Sequence, residues 1–137
     1  MILSIVIIVS LLIVFVLIDF RGAMQKDLKE LKNQSLSEKF SEIVKKINND
    51  FFENEGEIVE LSIREFNLVS KREIVIFQYS SGHLSIRYEN HSRMNKSFYH
   101  EQEFRNIRNI TLNGQIAISE AMIKGMCDVV EKELLVS

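Results

Sequence analysis

The residues best suited to metal chemistry are concentrated between His83 and Arg108. This stretch contains all three histidines of the chain and three glutamates: His83, His91, His100, Glu89, Glu101 and Glu103. Imidazole nitrogens and carboxylate oxygens bind zinc, provided that they converge on one point. On a strand, however, His100 and Glu101 point to opposite faces, and the chain has no H-x-H or H-E-x-x-H spacing. We therefore expect surface histidines, no metal site and no cofactor.

The single cysteine, Cys127, could act as a nucleophile. Its neighbours at helical spacing are Ile123, Val130 and Leu134, and a cysteine on such an apolar stripe behaves as a small core hydrophobe. A reactive thiol would need a basic, partly exposed setting. We expect Cys127 to lie in the core and to be unreactive.

A locally basic segment with interleaved aromatic rings could bind single-stranded nucleic acid by stacking and phosphate contact. Its residues are Arg87, Arg93, Lys96, Arg105 and Arg108, with Tyr88, Phe98 and Tyr99. Three glutamates in the same segment cancel much of the positive field. The net charge of −2 also gives no global attraction to nucleic acid. We expect a solvated strand face of mixed charge and no nucleic-acid partner.

Catalytic loops of known pattern are missing from the sequence. The predicted soluble domain, residues 35–137, has four isolated glycines: Gly56, Gly82, Gly114 and Gly125. They form neither a G-x-G-x-x-G fingerprint nor a P-loop, and no G-x-S-x-G occurs. The prediction is that the protein is not an enzyme, with a metal-dependent enzyme as the least favoured function.

The strongest signal in the chain is an apolar run from Met1 to Ile18, interrupted only by Ser4 and Ser10. As a helix it spans roughly 27 Å at about 1.5 Å per residue, close to the 30 Å or so of a bilayer core. A cleaved signal peptide would have a basic start, an apolar core of about 7–15 residues and a small-residue cleavage site. None of these is present, so residues 1–18 are predicted to be an uncleaved transmembrane anchor.

The basic residues next to the anchor predict its orientation. Arg21, Lys26, Lys29 and Lys32 all follow the apolar run, and none precedes it. The positive-inside rule then places the rest of the chain in the cytoplasm, and a lone cysteine fits a reducing compartment. The richness in Ile, Lys and Asn suggests a bacterial or phage source.

Two helical segments are predicted after the anchor. Residues 19–34 form a charged helical tether with a narrow apolar stripe, interpreted mainly as a solvated spacer. Ser35 and Glu38 form a capping box that begins the next helix. Its apolar stripe consists of Leu36, Phe40, Ile43, Val44, Ile47 and Phe51, and Gly56 is suited to follow its end.

After Gly56 the apolar pattern changes to a period of two, which predicts strands. Four strands are expected, around residues 59–63, 74–79, 83–89 and 97–104, with loops at 67–72 and 90–96. Ser80, Ser81 and Gly82 form the turn of a hairpin between the second and third strands. A last helix begins near Asn113 or Gly114 and runs to about Leu134, with apolar residues over more than half of its surface.

The predicted fold class is α+β, with a soluble domain at residues 35–137. Its order is helix, four-stranded antiparallel meander, helix. Both helices have one apolar side, so they should pack together on one face of the sheet as a two-layer domain. The other face would be open to water or to a partner.

The expected function is protein binding at the membrane. An anchored module raises the local concentration of its partner, as an accessory subunit of a membrane complex or an immunity or phage-exclusion protein would. The outward sheet face is the predicted binding face, with Arg64, Arg87 and Glu89 as candidate contact residues. The alternative is a structural membrane subunit that self-associates into a homo-oligomer through the anchor and the tether.

Overall fold

The protein is described by a computed structural model at residues 1–32, 34–91 and 97–136, with backbone only at residue 136. Its elements, in chain order, are α1 (Ile2–Leu31), α2 (Leu36–Lys39), α3 (Ser41–Asp50), β1 (Glu57–Ser62), β2 (Glu65–Ser70), β3 (Glu73–Ser80), β4 (His83–His91), β5 (Ser97–Phe104) and α4 (Leu112–Val136). This confirms the predicted α+β class and the order of helix, antiparallel sheet and helix.

Helix α1 is longer than the apolar run, because the predicted anchor and most of the predicted tether form one continuous helix. Its most apolar 18-residue window has a mean hydropathy of 3.2, and none of that window is buried within the protein. By length and composition α1 can cross a bilayer.

The sheet contains five strands in the order β1-β2-β3-β4-β5, each antiparallel to the next. The predicted count of four was wrong, because residues 65–70 form β2 where a loop was expected at 67–72. Strands β1 and β2 are joined by the two-residue turn Ile63-Arg64, which has no glycine, asparagine or proline to mark it. The predicted loop at 90–96 falls mostly outside the described residues, and Asn90 and His91 belong to β4.

The helix predicted after Ser35 has the expected start and an unexpected break. The capping box between Ser35 and Glu38 is present in both directions. At Phe40 the backbone leaves the helical region, with φ −104° and ψ 29°, so the helix is divided into α2 and α3. Phe40 is fully buried, and its ring packs edge-to-face on Tyr79 at 5.5 Å.

The core lies between the sheet and the helices α3 and α4, which confirms the two-layer arrangement. Its fully buried members come from all three components: Ile43 and Ile47 of α3, Phe66, Leu68, Val75, Phe77, Leu84, Ile86 and Tyr88 of the sheet, and Met122 and Met126 of α4. The rings of Phe66 and Phe77 stack across β2 and β3 at 4.4 Å. Within the described residues, no helix covers the opposite face of the sheet, as expected.

Candidate functional site

The end of helix α1 meets the sheet through a buried carboxylate. Asp27 has no exposed surface. It accepts a hydrogen bond from Arg64 Nη1 at 2.8 Å and one from the backbone N–H of Ser81 at 2.5 Å. Arg108 Nη2 forms an ion pair with it at 2.6 Å. The Asp27 carboxylate thus binds three separate segments of the domain.

Glu30, nearly one turn further along α1, extends this arrangement. It accepts hydrogen bonds from Arg108 Nη1 and from the Tyr79 hydroxyl, both at 2.9 Å, and it forms an ion pair with Lys39. We call the six residues together the junction cluster: Asp27, Glu30, Lys39, Arg64, Tyr79 and Arg108. It joins α1 to the domain.

The junction cluster brings two carboxylates together with three cations. Charges removed from water are costly unless they are paired and hydrogen-bonded, and here each carboxylate has at least two polar partners. Burial, and then the hydrogen bond to Glu30, raise the pKa of Tyr79, which stays a neutral donor. Burial alone would lower the pKa of Arg108, but the hydrogen bond to Asp27 and the nearby acids raise it overall.

Asp27 is contacted by residues from three connections of the sheet. Arg64 lies in the β1–β2 turn, Ser81 in the β3–β4 turn and Arg108 in the segment after β5. In an antiparallel meander these connections lie at the same end of the sheet, so α1 meets the sheet at that end. The sequence interpretation of residues 19–34 as a solvated spacer did not anticipate this contact. The sequence did contain one indication of this contact. Asp27, Glu30 and Leu31 are three and four residues apart, so they lie on one side of helix α1. That side is the one that contacts the domain.

A second ion cluster lies on the open face of the sheet. Arg87 donates to Glu89 at 2.7 Å and to Glu101 at 3.3 Å, and its guanidinium lies 4.0 Å from the centre of the Tyr99 ring. His91 Nε2 lies 3.1 Å from Glu89. These five residues are the sheet-face cluster. The hydrogen bond from Arg87 holds the pKa of Glu89 below its usual value.

The structure separates the three predicted contact residues. Arg87 and Glu89 lie together in the sheet-face cluster, whereas the Arg64 guanidinium points to α1 and belongs to the junction cluster. Strand alternation in the sequence would place Glu60 on the outward face with these residues, but it lies on the helix side, where it accepts a hydrogen bond from Ser37 at 2.8 Å. A bulge between Glu60 and Ser62 shifts the strand register there. A role of Arg64, Arg87 and Glu89 in partner binding stays a prediction.

An open depression of about 490 Å³ lies at the same end of the sheet as the junction cluster. Polar and charged residues line most of it, among them Arg64, Glu65, Gln78, His83 and Glu103. With groups of both signs and a wide mouth, it is suited to polar protein segments better than to an enclosed small molecule.

Two residues singled out for chemistry differ from expectation. His100 is a partly buried residue on the helix side of β5, where Gly125 of α4 approaches it so closely that a Cβ at position 125 would overlap its ring. Cys127 is exposed, because α4 places Met122 and Met126 in the core instead. Partial desolvation of the thiol by the surrounding protein atoms, and then the negative charges of Asp128 and Glu131, raise the pKa of Cys127, which favours the unreactive thiol form.

No group of three or more histidine, cysteine or acidic side chains that could hold a metal ion occurs in the described ranges 1–32, 34–91 and 97–136. No family model, curated protein or solved structure matches this chain. Helix α1 and the two ion clusters are therefore the features of the molecule that bear on its function.

Proposed function

We propose that this protein is a single-pass membrane protein, anchored by residues 1–18, whose cytoplasmic α+β domain binds another protein through its open sheet face. The observation that carries the proposal is that the apolar part of α1 is not buried against the domain. None of its most apolar 18-residue window is buried, so those side chains need an apolar environment that the domain does not supply.

A lipid bilayer is the apolar environment that best fits this helix. Apolar side chains surround the axis on every side, with Ile5, Leu11 and Phe15 all more than half exposed. A helix that is hydrophobic all round belongs in a large core or in a membrane, and the domain has no such core to offer. A helix also satisfies its own backbone hydrogen bonds, as an isolated segment in lipid requires.

The charges beside the anchor support a cytoplasmic domain. Arg21, Lys26, Lys29 and Lys32 follow the apolar run and are exposed, which is the distribution that the positive-inside rule associates with the cytoplasmic side. The junction cluster then holds the domain close to that side of the membrane.

The open sheet face is the proposed binding surface. Ile74 and Ile76 of β3 are partly exposed on this face, and the strand register pairs them with Glu89 and Arg87 of β4. The Arg87 guanidinium stacked on Tyr99 borders this apolar strip. Arginine and tyrosine are enriched at the centres of protein interfaces. An apolar strip with a charged border also resembles the apolar core and polar rim of such an interface.

Accessibility of an engineered cysteine tests the topology. In a Cys127→Ser background, Lys45→Cys places a thiol on α3, at a side chain that is 74% exposed. We expect a membrane-impermeant maleimide to label it only after lysis of the cells, whereas Ile2→Cys at the other end of the anchor should be labelled in intact cells. The opposite labelling pattern would refute the cytoplasmic orientation. Extraction of the protein by alkaline carbonate would refute the anchor.

Site-specific photo-crosslinking tests the binding surface. A photoreactive residue at Tyr99 should form an adduct with another protein in intact cells, and one at Lys45 on the helix side should not. Arg87→Ala should abolish the adduct, while Arg105→Ala, at a side chain that is 74% exposed and lies 3.7 Å from Glu103, should preserve it. An adduct of two copies of this chain would show that the sheet face contacts a second copy, and would contradict a different protein as its partner.

A further inference from the structure

The end of β1 and the β1–β2 turn present two apolar side chains, Leu61 in the strand and Ile63 in the turn, at the end of the sheet that contacts α1. Leu61 is 55% exposed and Ile63 is 52% exposed. Every residue of the edge strand β1 is exposed as well. An apolar turn of this kind needs an explanation, because the commoner residues of tight turns are polar or glycine.

The neighbouring Arg64 fixes the position of this turn along helix α1. Its guanidinium donates to Asp27 and lies 3.5 Å from the backbone carbonyl oxygen of Met24. Helix α1 is continuous from Ile2 to Leu31, so Met24 lies six residues beyond Ile18. At about 1.5 Å per residue this is roughly 9 Å along the helix axis.

Nine ångströms is comparable to the thickness of a headgroup layer. A bilayer is about 40–45 Å thick with a hydrocarbon core of about 30 Å, which leaves roughly 5–8 Å of polar layer on each side. An average helix tilt of about 20° brings the turn slightly nearer to the hydrocarbon. The level of Met24 therefore lies only a few ångströms outside the polar layer, and a leucine or isoleucine side chain is long enough to cross that distance.

We propose that the β1–β2 turn docks on the bilayer that α1 crosses, with Leu61 and Ile63 inserted into the headgroup layer. The occupant is lipid, because the turn adjoins the membrane helix and the junction cluster holds the two together. Docking would fix the tilt of the domain and direct the open sheet face sideways along the membrane. This inference depends on the anchor proposed above.

Strand β1 supplies a matched control for this proposal. Val59 is exposed to a similar extent, at 44%, but it lies four residues before Ile63, about 13 Å along an extended strand. A protein partner that adds a strand to the free edge of β1 would cover Val59 as well. A bilayer at the turn would reach only Leu61 and Ile63.

Fluorescence quenching by brominated phosphatidylcholine tests the proposal in the full chain, reconstituted in vesicles with Cys127→Ser. Bimane attached at Ile63→Cys should lose intensity when bromines are near the headgroup, and bimane at Val59→Cys should not. Bimane at Leu11→Cys reports on the anchor itself and should be quenched by deeply brominated lipid. Quenching at position 11 without quenching at position 63 would overturn the docking and leave the anchor intact. Absence of quenching at position 11 would overturn both.

Discussion

The junction cluster and the sheet-face cluster use the same chemistry in two different environments. Each contains arginine, carboxylates and a tyrosine. In the junction cluster the carboxylate of Asp27 has no exposed surface. In the sheet-face cluster the side chains of Arg87 and Glu101 are 34% and 45% exposed to solvent. We therefore expect burial, and not the number of ion pairs, to decide which cluster stabilises the folded protein.

Solvent explains the difference between the clusters. A buried charge that loses its partner has no water to replace it, so removal of one member of a buried pair is strongly destabilising. Water readily replaces the partner of an exposed ion and screens the interaction, so most exposed pairs contribute little to stability. The sheet-face residues can therefore exchange their mutual contacts for other polar contacts at little cost in stability.

The largest expected effect is that of Asp27→Ala. The substitution leaves the partly buried Arg64 without its carboxylate, removes one of the two carboxylates that pair with Arg108, and removes the acceptor of the Ser81 N–H. We expect a loss of about 3 kcal/mol in the free energy of unfolding, at the lower end of the range for buried pairs because both arginines keep some contact with solvent. Denaturant titration of the full chain in detergent micelles, followed by circular dichroism, measures it.

Asp19→Ala is the matched control for this variant, because it removes an exposed carboxylate from the same helix. Its unfolding curve should coincide with that of the unmodified chain. Equal curves for Asp19→Ala and Asp27→Ala would mean that the junction cluster does not stabilise the protein.

A smaller effect on stability is expected from Gly125→Ala. This variant bears on the comparison of the two clusters, because strand β5 carries Tyr99 of the sheet-face cluster on one face and His100 on the opposite face. The new methyl group would overlap the His100 ring, and overpacking of this kind costs about 1–3 kcal/mol. That cost outweighs the gain of about 1 kcal/mol from replacing glycine within a helix. Thermal unfolding in micelles measures the net loss.

Two controls identify the cause of the Gly125→Ala effect. Gly22→Ala adds the same methyl group where nothing lies within 4 Å, so it should not destabilise the protein. The double variant Gly125→Ala with His100→Ala should recover most of the loss of the single variant. A double variant as unstable as Gly125→Ala would show that the His100 ring is not the obstacle.

Arg87→Ala should leave the midpoint of unfolding nearly unchanged. The side chain is partly solvated, and its contacts with Glu89 and Glu101 are surface ion pairs. The same variant should abolish crosslinking from position 99, so stability and binding separate at this residue. A variant that unfolds as readily as Asp27→Ala would remove the distinction between the two clusters.

The smallest expected effect is a change in the acid dependence of stability at Glu89. Arg87 and then His91 hydrogen-bond this carboxylate and lower its pKa in the folded state. Its contribution is therefore present above the usual pKa of 4.5 and is lost as the pH falls through the lower folded value. The difference in unfolding free energy between the unmodified chain and Glu89→Gln should shrink on acidification. A difference that grows at low pH would contradict the assignment.

Local patterns predicted much of this fold, and long-range contacts account for most of what they missed. The apolar run, the capping box at Ser35 and the Ser81-Gly82 hairpin all depend on residues a few positions apart. The Ile63-Arg64 turn has no such signal. The junction cluster joins residues 37 and 78 positions apart, as in Arg64 with Asp27 and Arg108 with Glu30, and no periodicity reveals such pairs.

Helix α4 shows the same limit on a smaller scale. Both the stripe with Cys127 and the stripe with Met122 and Met126 are apolar, so the sequence does not distinguish which one faces the sheet. The close approach of Gly125 to His100 selects the second stripe and leaves Cys127 exposed. The pairing of Arg87 and Glu89 was predictable from strand alternation, whereas the position of Arg64 was not.

The most direct test of the account is the distance between helix α1 and the domain, because the junction cluster is claimed to hold them as one unit. Spin labels at Arg21→Cys and Lys45→Cys, in a Cys127→Ser chain reconstituted in lipid vesicles, would report it by pulsed electron paramagnetic resonance. We predict one narrow distance distribution, which broadens when Asp27→Ala is introduced. A broad distribution in the chain that retains Asp27 would contradict the account.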